Sequence, residues 1–250
     1  MTQVHALSEP PLPLFVAPQP VGAPPQPLSH IHDHRKRMRT RFMDGGADAM
    51  PDYELLEMLL YGALPRRDVK SLARRLMDQF GDLSSLIGAT PRQLKKVAGV
   101  GDTVVCSLKL AGAIAGRSAR AKVMNRPVIS SWDALLDYCH TVMAHRHVEH
   151  VRVLLLDRKN CLIADEELGR GTVDHVPVYP REVLRLALDR GASAMILVHN
   201  HPSGDPTPSE SDIVMTERIR QGAEALSLVL HDHLIIGNSQ EYSFRSEGHL

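Results

Sequence analysis

The chain has 250 residues, 43 % of them hydrophobic, which suits one large globular domain or two small ones. Lysine plus arginine equal aspartate plus glutamate at 29 each, so global charge gives no argument for nucleic acid, and any such contact must come from a local patch. Cys106, Cys139 and Cys161 are scattered and lack CxxC spacing, which argues against a disulfide scaffold or a cysteine zinc cluster and fits a reducing cytoplasm. No segment has the pattern of a signal peptide or of a membrane span, so a cytoplasmic, non-membrane protein is expected.

Residues 1–30 hold eight of the 17 prolines. Proline lacks an N–H donor and blocks the preceding turn, so this stretch is expected to be a disordered tail or a Pro-rich partner motif. The next stretch, 34–41, carries five basic residues from Arg35 to Arg41 and reads either as a phosphate contact or as a solvated helix start. From 52 to 117 the apolar spacing is helical. Leu55, Leu56, Leu59 and Leu60 form one face, and Val69, Leu72, Ala73 and Leu76 form another. Leu83, Leu86 and Ile87 follow Gly81, and Thr90-Pro91 opens a short helix carrying Leu94 and Val97. A small all-α domain is expected over 31–117, with a linker at 118–128 and a second domain over 129–250.

The second domain alternates. A helix is expected from 131 to about 147, then strands at 151–157 and 161–168 joined as a hairpin by Arg158-Lys159-Asn160. A third strand is expected over 171–178, and a helix from Pro180 to about 190. A buried strand at 193–198, a helix at 212–226 and a strand at 228–237 complete the pattern. This is an α/β domain with a mixed, largely antiparallel sheet and flanking helices.

Residues 94–110 place a Gly99-Val100-Gly101 turn between two helices. A helix start with outward N–H groups attracts phosphate, and Lys95, Lys96 and Lys109 add charge. The stretch resembles a helix-hairpin-helix, which implies non-specific contact with a DNA backbone; the same glycines also serve simply to join two packed helices.

The densest chemistry lies at 199–212. His199 and His201 stand two apart at the end of an apolar strand, so both imidazoles share a face. The loop Pro202-Ser203-Gly204-Asp205-Pro206-Thr207-Pro208 is neither helix nor strand and turns the chain back. Ser209 then fits as an N-cap, with Asp212 at N3. Two imidazole nitrogens and one carboxylate suit Zn2+ with a fourth position open. Ser209 lies close enough by spacing to donate to an oxyanion, and it is equally a plain cap. Asp205, between Gly204 and Pro206, reads as a turn residue rather than a ligand. His231 and His233 repeat the i, i+2 spacing; one of them is expected to be a buried, hydrogen-bonded core histidine.

His-x-His, seven residues, Ser, two residues, Asp matches the JAMM metalloprotease motif, and His199-Asn200-His201-Pro202-Ser203-Gly204 resembles the RadC family. Gly171-Thr172, Pro180-Arg181-Glu182, Asp232-His233 and Ser243-Phe244-Arg245 agree with that resemblance, as does the helical domain; it covers about residues 35–250. It implies a JAMM/MPN-like fold, zinc on His199, His201 and Asp212, and Ser209 as oxyanion donor. It also implies a glutamate base just before the first strand, for which Glu149 is the first choice and Glu166 and Glu167 are the alternatives. Asn200 departs from the Ser or Thr of the deubiquitinating branch, which puts ubiquitin-like substrates in doubt.

The function expected on this basis is a RadC-like zinc metallopeptidase or isopeptidase, in which a metal-activated water attacks a peptide carbonyl of an unnamed protein or peptide substrate. The alternative is a DNA-repair-associated DNA-binding protein whose zinc domain is non-proteolytic or a nuclease. A zinc-bearing interaction module without catalysis is a third reading.

Overall fold

The computed structural model describes residues 28–171 and 178–250. The proline-rich tail, up to residue 27, and most of the strand expected at 171–178 lie outside the described residues. Helices α1 (Leu28–Gly45), α2 (Asp52–Ala63), α3 (Lys70–Phe80), α4 (Leu83–Gly88), α5 (Pro91–Leu94) and α6 (Asp102–Val123) come first. They enclose a core of Leu56, Leu60, Leu72, Leu76, Leu86, Leu94, Val104 and Leu108. The expected apolar faces hold except at Leu59, which is 37 % exposed while its neighbours Leu56 and Leu60 are buried. Gly81 closes α3 at φ 85°, and Thr90 opens α5 in a capping box with Gln93.

The basic run on α1 is divided: Arg35 is committed inward, while Lys36, Arg37, Arg39 and Arg41 are exposed. The buried Arg35 guanidinium donates to the carbonyls of Leu64, Pro65 and Arg67 at 2.6–2.9 Å, closing the C-terminal end of α2. His34 meets Glu57 at 2.8 Å, and Arg41 pairs with Glu54.

The stretch 118–128, expected as a linker, is largely structured. Residues up to Val123 continue α6, because no glycine or proline interrupts the helix formers Ala119, Arg120, Ala121 and Lys122. Residues 124–128 then lie along the turn before the second strand. Asn125 N–H donates to the Leu162 carbonyl at 2.8 Å, and Val128 N–H to that of Asn160 at 2.9 Å.

Then come α7 (Trp132–Met143), β1 (His150–Leu156), β2 (Leu162–Arg170), α8 (Pro180–Asp189), β3 (Ala194–Asn200), α9 (Glu210–Ala225), β4 (Val229–Ile236) and β5 (Glu241–Ser243). The sheet order is β2-β1-β3-β4-β5. Only β3 and β4 pair in parallel, so the sheet is mixed and largely antiparallel. Helix α7 covers one face through Leu135, Tyr138, Cys139 and Met143, against Leu154, Leu156, Ile196, Val198, Leu234 and Ile236. Helices α8 and α9 cover the other through Val183, Ala187, Ile219 and Ala223, against Val153, Leu155, Met195 and Leu197. Every residue of β3 is buried, as expected of a central strand covered on both faces. The alternation along β3 sends its last two residues to opposite faces: His199 continues the 195, 197 series toward α9, and Asn200 continues the 196, 198 series toward α7.

Candidate metal centre

Strand β3 carries His199 to its carboxyl end, and His201 comes just past it, anchored by its N–H to the Ile236 carbonyl at 3.1 Å. The loop beyond is rigid. Gly204 sits at φ 86°, and a Cβ there would lie 2.4 Å from Asn238 Nδ2. Asp205 is the turn residue expected, its Oδ1 accepting from Thr207 N and Oγ1 at 2.9 and 2.7 Å. The loop delivers Ser209 as N-cap of α9 with Asp212 at N3, in a reciprocal capping box.

His199, His201 and Asp212 thereby converge, with one donor atom from each within 4.8 Å of the others. The two Nε2 atoms are 3.0 Å apart; Asp212 Oδ1 lies 3.4 Å from His199 Nε2, and Oδ2 lies 3.5 Å from His201 Nε2. Four tetrahedral ligands about 2.0–2.1 Å from zinc stand roughly 3.3 Å from one another, so the triad fits that ion. Hydrogen bonding strengthens the fit. His201 Nδ1 donates to the Asp205 carbonyl at 2.8 Å, which leaves its Nε2 a lone pair in the neutral ring. His199 Nδ1 is engaged by His233 Nε2 at 2.7 Å, so its Nε2 is also the atom turned to the triad. Two nitrogens facing each other beside a carboxylate are a group that could hold a cation.

Burial lowers the His199 pKa to about 4, with Asp212 opposing the shift. Its contact with Asp212 is therefore not an ion pair in the metal-free protein. Burial pushes Asp212 up, but hydrogen bonds from His201 and Ser209 and the proximity of His199 hold it well below the usual carboxylate range. His201 is raised by its hydrogen bond to Asp212 against the cost of burial; the Asp205 carbonyl and the Glu149 charge add to the rise. Asp212 is thus a ready carboxylate and His199 a bare nitrogen, whereas His201 must release a more tightly held proton before it could serve as a third ligand.

Ser209 Oγ donates to Asp212 Oδ2 at 2.5 Å and accepts from Asp212 N–H at 3.2 Å, so the hydroxyl is committed to the residue at N3 of its own cap. Glu149 immediately precedes β1, and its charge acts on His201. Val151 pairs with His199 across the sheet, so the series 149, 151 runs on the face that carries His199. Glu166 is paired instead with Arg190 at 2.5 Å, and Glu167 lies near Arg152 and His150 at 3.4 and 3.6 Å.

Two family models match the chain: a RadC-like JAB domain over residues 129–249 and a UPF0758 N-terminal domain over 31–106. A UPF0758 protein of Ruegeria pomeroyi is 66 % identical over 222 residues, which cover 89 % of this chain and 99 % of that protein. One from Rhodobacter capsulatus is 66 % identical over 211 residues, covering 84 % and 99 %. The chain belongs to the RadC-like UPF0758 family.

The RadC-like domain holds two devices that sequence reasoning missed. Asn200 is wholly buried. Its Oδ1 accepts from His150 N–H at 2.9 Å, and its Nδ2 donates to the carbonyls of Val148 and Arg146 at 3.2 and 3.3 Å. The residue between the two histidines therefore fastens the backbone on both sides of Glu149. A buried asparagine in a central strand was the available signal. His231 and His233 also part company, because a register shift in β4 separates them. His231 Nε2 reaches Asn160 at 2.7 Å, whereas His233 reaches His199 and, at 2.6 Å, Thr216. The two share no ion site, and both are hydrogen-bonded.

In the UPF0758 N-terminal domain, Lys95, Lys96, Gly99 and Gly101 gather at the turn between α5 and α6. Lys109 does not join them; its ammonium donates to the Ile87 carbonyl at 2.6 Å. Asp102 occupies the first turn of α6 and pairs with Lys95 at 2.5 Å, so a carboxylate already stands where a phosphate was expected. Among the described residues, no helix is long and apolar enough to cross a membrane.

Proposed function

We propose that this protein is a zinc-dependent metallopeptidase or isopeptidase, with Zn2+ held by His199, His201 and Asp212. The observation that carries this reading is the convergence of the two histidine Nε2 atoms, 3.0 Å apart, on the Asp212 carboxylate, with each Nδ1 hydrogen-bonded away from the triad. Zinc, when bound, supplies a lowered water pKa and a polarised carbonyl. The chain supplies the rest. Glu149 takes the proton of the attacking water, from the segment that Asn200 fastens. Ser209, exposed at the lip of the site, turns its hydroxyl from Asp212 to the developing oxyanion. His199 is sealed from solvent while His201 is partly open, so a peptide carbonyl enters from the His201 side.

The test has two arms. Metal analysis of purified protein is expected to give one zinc per chain, lost in His199→Ala. Peptide-bond hydrolysis, assayed on a peptide library, is expected to fall roughly 10²–10⁴-fold in Glu149→Gln with zinc retained. Full activity in Glu149→Gln sinks the base assignment. Zinc-dependent cleavage of DNA in place of peptides favours the nuclease alternative.

A further inference from the structure

We infer that His233 and Thr216 are positioning residues that fix the proton of the metal ligand His199, forming a hydrogen-bonded chain that runs from the backbone of one ligand, Asp212, to the ring of another, His199. The inference rests on the metal reading above.

The proton count starts at a group that has none to give. Thr216 Oγ1 lies 2.6 Å from the backbone carbonyl of Asp212, one helical turn before it on α9. A carbonyl only accepts, so the single hydroxyl proton of Thr216 lies on that bond. Thr216 Oγ1 is also 2.6 Å from His233 Nδ1, and with its proton spent it accepts there. His233 Nδ1 therefore carries a hydrogen. The His233 ring is wholly buried and its nitrogens meet only Thr216 and His199, with no carboxylate on either, so the ring is neutral and its Nε2 is a lone pair. That lone pair faces His199 Nδ1 at 2.7 Å, so His199 Nδ1 is the donor. His199 then presents its own Nε2 lone pair to Asp212 and His201. The chain runs from the Asp212 carbonyl through Thr216 and His233 to His199, whose bare Nε2 faces the Asp212 carboxylate at 3.4 Å.

The sequence builds this chain from two adjoining elements. Strand β4 runs parallel to β3, with His233 opposite Leu197, which brings it beside His199. Helix α9 packs over both and supplies Thr216 and Asp212 four residues apart. Phe244 stacks on the His233 ring, with centroids 4.7 Å apart and planes inclined by 21°, and holds it in plane. Metal-binding histidines usually donate their second N–H to a carboxylate, a carbonyl or water. Here a neutral imidazole takes that place and passes the directionality on to a threonine. Without an acceptor at His199 Nδ1, the Nε2–H tautomer opens, and that tautomer cannot ligate.

Two measurements on the full chain test this. Long-range 1H–15N spectra of the zinc-free wild type are expected to show His199 and His233 both protonated on Nδ1 and bare on Nε2. Zinc affinity by chelator competition is expected to fall roughly 10–100-fold in the near-isosteric Thr216→Val and in His233→Leu. Thr216→Ser, which keeps the hydroxyl, stays within about threefold of wild type, and His233→Gln, which keeps an acceptor for the His199 proton, falls between. A proton on His199 Nε2 in the wild type, or unchanged zinc affinity in both Thr216→Val and His233→Leu, overturns the inference. Wild-type protein that takes up no zinc at all overturns the metal reading instead, and the nitrogen shifts then decide the hydrogen-bonded chain alone.

Discussion

Asn200 holds His150: its Oδ1 accepts the His150 N–H at 2.9 Å, while its Nδ2 donates to Val148 on the other side of Glu149 at 3.2 Å. The position between the two candidate ligands thus sets where the candidate base stands. Asn200→Asp preserves the acceptor but places a buried carboxylate against the carbonyls of Val148 and Arg146. We expect a loss of about 3 kcal/mol in unfolding free energy, more than for Asn200→Ala, measured by urea denaturation of zinc-loaded protein. A change in Asn200→Asp below about 0.5 kcal/mol would show that the clamp contributes nothing.

Gly237 and Gly204 press together where the ligand loop meets the end of β4. A Cβ on Gly237 would stand 2.4 Å from the Gly204 carbonyl oxygen, a backbone atom that cannot rotate away. A Cβ on Gly204 meets only the Asn238 side chain, although its φ of 86° adds strain of about 1 kcal/mol. Gly237→Ala is therefore expected to displace the loop carrying His201 and to weaken zinc binding at least tenfold. Gly204→Ala is expected to lower stability with a smaller effect on zinc. Chelator competition and thermal unfolding separate the two effects, and the reverse order would show that the loop is not held through Gly237.

The metal-free protein has a pH signature whose sign comes from burial. His199 falls to about 4, and burial also takes His233 well below its ordinary value, so in moderate acid the unfolded chain binds protons that the folded chain refuses. Stability from both is present above about pH 6.5 and is lost as pH falls toward their folded values. For His199 the loss between pH 6.5 and 5 is about 2 kcal/mol. His201 is raised, chiefly by Asp212, and works the other way: it adds stability below about pH 6.5 and loses it as pH rises through its folded value. The urea midpoint of chelator-treated protein should therefore peak near neutrality and drop by pH 5, before most carboxylates titrate. A flat profile from pH 7 to 5 contradicts the burial argument.

The candidate triad was legible because each of its features is local. The i, i+2 histidines, the proline-bounded loop and the cap three residues before Asp212 are short-range patterns, and the sheet and helices could be read from apolar periodicity. The missed parts depend on which residues pair across strands. Nothing near residue 233 says that β4 lies parallel to β3 with a register shift at 195–196, yet that shift sends His231 to Asn160 and His233 to His199. Likewise, the fastening of residues 146–150 by Asn200 spans at least 50 residues of sequence. The helical character of 118–123 was hidden for a local reason: its charged residues are also good helix formers, and α6 ends only at Val123, ahead of Asn125 at φ 59°.

The hairpin between α5 and α6 gives the last prediction, on DNA. Lys95 and Lys96 stand at its turn, but Lys95 is bound to Asp102 at 2.5 Å, and Asp102 places negative charge at the start of α6. That ion pair is well exposed and contributes little to stability, yet it cancels much of the field a phosphate would meet. We therefore expect duplex DNA to bind no more tightly than a Kd of about 10⁻⁴–10⁻⁶ M at physiological salt, with a shallow salt dependence. Asp102→Asn removes the competing carboxylate and should tighten binding, while Lys95→Glu with Lys96→Glu should weaken it. Fluorescence anisotropy with a labelled duplex at two salt concentrations reads both changes. Nanomolar binding that neither substitution alters would place the DNA contact elsewhere on the chain and return the helix-hairpin-helix resemblance to a matter of packing.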